Sequence, residues 1–227
     1  MFGAAFAFLG KVSRCRGVKV TRGEGKGGKG GMLWVMRFEL AEAVQVLERT
    51  PGVLRAMLAG LGEGWVQGNY GEGTFSPYDV VGHLITGERT DWMARVRLIL
   101  EHGGSRPFEK YDRYAQFEES RGRPVEELLA EFAGLRAANL GALRGLALTP
   151  ADMARVGWHP ALGSVTLAQL LATWAAHDLN HVGQIAKAMA TQYEGEVGPW
   201  KQYLGILRSP VTRMDAEGAA RRRPAGP

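Results

Sequence analysis

Residues 166–192 read TLAQLLATWAAHDLNHVGQIAKAMATQ, and this stretch decides the fold. Thr166 followed three positions later by Gln169 has the spacing of a capping box, in which hydroxyl and amide reciprocally satisfy backbone N–H groups at a helix start. From there Leu170, Trp174, His177, His181, Ile185 and Ala188 recur at steps of three and four, so they share one stripe of a long helix. His177 and His181 project about 40° apart and one turn along the axis, so both imidazoles reach one point. The rest of the stripe is apolar, so the pair faces a core, where an unpaired polar group costs ~1–3 kcal/mol and needs a reason to be there. The pattern His-x-x-x-His alone reads equally well as a surface pair or as core histidines satisfied by hydrogen bonds.

Outward from this helix, three more are predicted. Ser76-Pro77-Tyr78-Asp79 supplies a cap, a proline at the first helical position and an acid in the first turn. That helix runs through Val80, Leu84, Ile85, Trp92, Val96 and Ile99 to a stop at His102-Gly103-Gly104. Another begins near Pro124, with Glu126 and Glu127 in its first turn, and buries Leu128, Leu129, Phe132, Leu135, Leu140 and Leu143. The first helix follows Met36 and should break or kink at Thr50-Pro51, which reads as a fresh cap and N1 proline. Residues 103–123 carry Phe108, Tyr111, Tyr114 and Phe117, too aromatic for free linker and expected to pack across the helices. No strand-length alternation is visible. Four long helices with two long crossovers predict an all-α four-helix bundle that is not simply up-down-up-down. The bundle is assigned to residues 36–208, closed by an amphipathic segment from Trp200 to Leu207.

His83 lies on the inward stripe of the second helix with Val80, Leu84 and Gly87. Three neutral imidazoles from two facing helices would hold Zn²⁺ or Ni²⁺ with a coordination position open, the pattern of catalytic rather than structural sites. Satisfied core histidines are the competing reading.

The segments Ser76-Pro77-Tyr-Asp-Val-Val-Gly-His83-Leu, His159-Pro-Ala-Leu-Gly-Ser-Val-Thr-Leu and His177-Asp-Leu-Asn-His181-Val-Gly-Gln184-Ile resemble the DinB-like (damage-inducible) superfamily, over roughly residues 36–208. The resemblance implies an up-down-down-up helix order and His83, His177 and His181 as ligands of a divalent transition metal, Zn or Ni foremost. It also implies an enzyme, a thiol-dependent S-transferase using a low-molecular-weight thiol as cosubstrate. A metal-dependent hydrolase is the alternative, and a non-catalytic metal-binding or stress-response protein a third reading. In either enzyme the metal would lower the pKa of a sulfur or a water so that a nucleophile exists near neutral pH. The expected partners are a small-molecule substrate and a second copy in a homodimer, without nucleic acid or membrane.

Other residues have two readings each. Glu88 and Asp91 follow His83, and Asp91, two turns on, is aligned to serve as general base; the alternative is pairing with Arg89 or Arg95. His159, in the crossover before the last helix, either acts at the site rim as a catalytic group or is a locally bonded loop histidine. Asp178 and Asn180 are ligand supports or polar surface. Gln184 bridges to a ligand or to substrate, or makes a structural hydrogen bond, and Trp174 is core or substrate wall. His102 reads as a helix C-terminal residue favoured by the dipole.

The net charge of +5 and pI near 9.5 would suggest nucleic acid, but the excess lies at the ends. Residues 1–35 hold seven Lys/Arg against one Glu and residues 209–227 four against two acids, leaving 17 basic and 20 acidic residues between them. Residues 209–227 are expected to form a disordered basic tail. The Gly/Lys/Glu stretch 22–31 is expected to be disordered, and residues 1–31 to be translated leader ahead of a natural start at Met32 or Met36, so that 1–35 form a disordered or mis-annotated extension. The apolar run Met1 to Gly10 is too short to span a bilayer and lacks a signal-peptide pattern. One cysteine, Cys15, offers no disulfide framework and fits a cytoplasmic location.

Overall fold

The computed structural model describes residues 17–20 and 33–222 and divides the chain into two units, Met1–Glu39 and Leu40–Pro227. In the first, β1 (Gly17–Val20) pairs antiparallel with β2 (Leu33–Met36), Gly17 opposite Met36. Stretch 22–31, expected to be disordered, and the translated-leader expectation for 1–31 lie outside the described residues, apart from this ribbon.

The second unit is built on α1 (Leu40–Leu58), α3 (Pro77–Thr90), α6 (Val125–Gly145) and α8 (Leu167–Thr191), with the short α2 (Glu63–Gln67) between the first two. The expected capping box forms at α8, where Gln169 accepts from the Thr166 N–H at 2.8 Å, and the expected Ser76 cap is a capping box as well, Asp79 accepting from the Ser76 N–H at 2.8 Å with Pro77 at the start of α3. Tyr78, at the start of α3, donates to the Arg123 carbonyl just before α6 at 2.9 Å, so α3 and α6 run in parallel. Contacts of His83 with His181 and of Glu88 with Trp174 make α3 antiparallel to α8. Leu54 and Leu58, late in α1, pack with Leu128 at the start of α6 and Ile185 late in α8. The order is therefore up-down-down-up, and the core lies between the four helices.

Proline does not break α1. Pro51 sits inside an unbroken helix, and the Leu47 carbonyl that its missing N–H would have bonded accepts instead from Arg136 Nη1 on α6 at 2.8 Å. A donor from another helix replaces the local one. The second helix is divided at Asp91 (φ −111°, ψ −72°) into α3 and α4 (Trp92–His102). A 3₁₀ turn at Gly103–Ser105 follows, and α5 (Gln116–Glu119) packs on α3 where Gly82 has no side chain to strike Ser120 and Gln116.

The strand-free expectation is corrected. After α7 (Pro150–Met153), β3 (Val156–His159) and β4 (Gly163–Thr166) form an antiparallel ribbon, each strand four residues long and too short to register as alternation. Gly157 fits because a Cβ there would meet Ile99 and Phe108 at 2.7 Å. After the 3₁₀ turn Gly198–Tyr203 and α9 (Gly205–Arg208), the segment expected to be a free basic tail is ordered as far as Arg222. Asp215 caps α10 (Ala216–Arg221), Arg221 pairs with Asp112 at 2.7 Å and Arg222 with Asp79 at 2.9 Å. The expected charge run thus finds carboxylates more than a hundred residues away. Among the described residues no helix is long and apolar enough to cross a membrane.

Candidate metal centre

Two turns of α8 carry His177 and His181, and one face of α3 carries His83. One ligand-capable atom from each lies within 4.8 Å of the others, an arrangement that can hold a metal ion. The closest pair, His177 Nε2 and His181 Nε2, are 3.0 Å apart, and about 2.0–2.1 Å is the usual zinc–imidazole bond. Burial holds the His83 imidazole down to about 3 and His177 to about 2, each helped by a neighbouring ring, and lowers His181 as well. At neutral pH all three are uncharged and carry lone pairs, the form that binds a cation.

Their surroundings set the rings. Gln184 donates from Nε2 to the Tyr70 hydroxyl at 3.1 Å, which turns its Oε1 toward His181 Nδ1 at 2.7 Å. The proton of His181 therefore sits on Nδ1 and the lone pair on Nε2, facing His177. The Tyr111 hydroxyl donates to the His83 carbonyl at 3.2 Å and lies 3.3 Å from His83 Nδ1. His177 Nδ1 is buried and has no partner among the described residues, and its ring meets the edge of Trp92 at 5.1 Å between centroids. The donor set, two converging Nε2 atoms among neutral imidazoles, fits a borderline transition-metal ion. Replacing Gln184 with alanine is expected to weaken metal affinity roughly 10–100-fold by freeing the His181 tautomer, with the circular-dichroism spectrum unchanged. An unaltered affinity in a competition titration would remove Gln184 from that role.

Beside the histidines lies a buried charge cluster. Arg136 on α6 is 1% exposed and uses all five N–H donors: three bonds to Glu88 and Asp178 through Nη2 and Nε, and two through Nη1 to Asp178 at 2.6 Å and the Leu47 carbonyl at 2.8 Å. Glu88 also accepts from Trp174 Nε1 at 3.0 Å and from Asn139 at 2.9 Å. Asp178 is thus fully buried, Asn180 exposed, and Glu88 pairs with Arg136 rather than Arg89 or Arg95. Trp174 is core, stacked on Trp92.

Two cavities flank the histidines. One of about 660 Å³ is lined by all three together with Phe75, Arg113 and Lys187. The other, about 790 Å³, is lined by His83, His177, Asp91, Tyr111 and His159. Burial pushes the Asp91 carboxyl up to about 6 against the opposing Arg95 guanidinium, which lies 2.6 Å away. His159 Nδ1 accepts from the Ala161 and Leu162 N–H groups at 3.1 and 3.2 Å, so its proton is on Nε2 and it faces the second cavity as a donor. His102 lies at the exposed end of α4 beside Glu101. Sequence reasoning missed Arg136, Tyr70 and the contact of Tyr111 with His83. Arg136 alone carried a signal, a charge four residues from both Phe132 and Leu140 on an apolar stripe.

A family model described as the DinB superfamily matches residues 46–185. Among curated proteins none matches. Of solved structures, YfiT from Bacillus subtilis, described as "a probable metal-dependent hydrolase with an unusual four-helix bundle topology", superposes with a TM-score of 0.59 at 22% identity, over 72% of this chain and 90% of that one. At that identity the likeness is one of fold.

Proposed function

Since the chain belongs to the DinB superfamily, we propose that it is a metal-dependent hydrolase of a small molecule, with His83, His177 and His181 as the metal ligands. The observation that carries this reading is the convergence of three uncharged imidazoles at the partition between two cavities, which leaves room for both a ligand water and a substrate. The likeness in fold to YfiT, a probable metal-dependent hydrolase, supports it. A divalent ion held there supplies Lewis acidity and lowers the pKa of a coordinated water toward 7.

The chain's own residues do the rest. Asp91 lines the second cavity with His83 and His177 and takes a proton from the attacking water as general base. A base works in its deprotonated form, so activity rises as pH passes upward through about 6, where the Asp91 carboxyl ionises. His159 donates from Nε2 toward a substrate acceptor at the rim, and Tyr111 and Gln184 hold the imidazoles in place.

The test is a panel of esters and amides, plus a thiol with an electrophile, offered to Zn²⁺- or Ni²⁺-loaded protein between pH 5 and 9. Hydrolysis that needs metal, with an acid limb near pH 6 that Asp91→Asn abolishes while lowering kcat ~10²-fold or more, is the expected result. Turnover only in the presence of the thiol would replace hydrolysis by S-transfer at the same cluster. No metal-dependent turnover of either kind would sink both.

A further inference from the structure

The smaller cavity has a one-sided charge. Arg113, Lys187 and Arg213 line it, and among the described residues no carboxylate does. Two of these cations are held by neutral acceptors: Lys187 by the Ser209 and Pro210 carbonyls, and Arg213 by the Glu72 carbonyl at 2.7 Å. Such bonds fix a cation without cancelling its charge. Lys187 is only 8% exposed and stands 5.5 Å over the Tyr70 ring. Arg113 is exposed, and among the described residues no carboxylate pairs with it; it lines both cavities beside His83. The larger cavity differs, since Asp91, Glu109, Asp112, Asp215 and Glu217 line it beside Arg95, Lys110 and Arg113.

From this we infer that the smaller cavity binds an organic anion, a carboxylate on an apolar body, with Arg113 as the residue that selects for the charge. Phe75, Leu179, Ile206 and Met214 supply the apolar wall. A guanidinium presents paired N–H donors that match a carboxylate. Bound there, the anion places the neighbouring atoms of its body against the imidazoles. This deepens the hydrolase reading by naming its substrate class, and it rests on that reading for the chemistry though not for the binding.

The probes are phenylacetate and its neutral isostere phenylacetamide, titrated calorimetrically into the full chain, once without metal and once with Zn²⁺. Phenylacetate is expected to bind about 10-fold more tightly than phenylacetamide in both forms, a difference of about 1.4 kcal/mol. The preference should shrink as salt rises, since added ions screen exposed charge. Arg113→Gln should remove the preference, leave phenylacetamide unchanged and leave metal content unchanged, and Arg113→Lys should restore part of it. The proposal is overturned by equal binding of the two probes, by binding of neither, by a preference that survives Arg113→Gln, or by one that exists only with Zn²⁺ present. Failure of the hydrolase reading looks different: no metal uptake, with the anion preference of the metal-free protein intact.

Discussion

His177→Ala is expected to abolish metal retention and to lower metal-dependent turnover at least ~10³-fold, the equivalent of about 4 kcal/mol of lost transition-state stabilisation. His177 belongs to the closest ligand pair, 3.0 Å from its partner, and borders both cavities, so its loss leaves two imidazoles on separate helices. The fold should survive, because its Nδ1 makes no hydrogen bond among the described residues and the capping boxes and charge cluster are untouched. Metal per chain by mass spectrometry, with a thermal melt as control, checks this. Full metal occupancy in a folded variant would overturn the ligand assignment.

Arg136→Met is expected to have the largest effect on stability. Removing one partner of a buried ion cluster costs about 3–5 kcal/mol, because the charges left behind have neither water nor a counter-ion. Here Glu88 and Asp178 would both be stranded, and the Leu47 carbonyl would lose the donor that replaces the N–H that Pro51 lacks. A melting temperature lower by roughly 6–20 °C follows for a chain of this size. Adding Glu88→Gln and Asp178→Asn should recover part of the loss by removing the unpaired charges. A melt unchanged by Arg136→Met would show that the cluster contributes nothing net.

The helix starts and the His177/His181 pair were legible because their signals are local: three-residue cap spacings and a stripe within one helix. His83 as third ligand was not, since nothing within its own helix distinguishes a ligand from a satisfied histidine, and that assignment leaned on resemblance. Thr50-Pro51 reads as a break or kink because the rescue of the helix at Pro51 comes from Arg136, 85 positions away in the chain. The same distance hid the partners of Glu88 and Asp178. Arg221 and Arg222 looked like solvated tail because composition reports no partners, and theirs, Asp112 and Asp79, lie on other elements. Asp91 and His159 were visible as candidates, but which carries a free lone pair depends on bonds that only the folded chain makes.

One side chain on α6 touches α1 at Leu47, α3 at Glu88 and α8 at Asp178. Greasy faces alone would tolerate one helix sliding past another by a turn, about 5.4 Å, since Leu can replace Leu in the next groove. Such a slip of α8 would pull Asp178 off the guanidinium and leave it charged in the interior, and it would carry His177 and His181 past His83 by the same step. The guanidinium therefore acts as a gauge block for the assembly: it lets the axial alignment of three helices be set in the dry interior, so that the imidazoles inherit their spacing without having to enforce it.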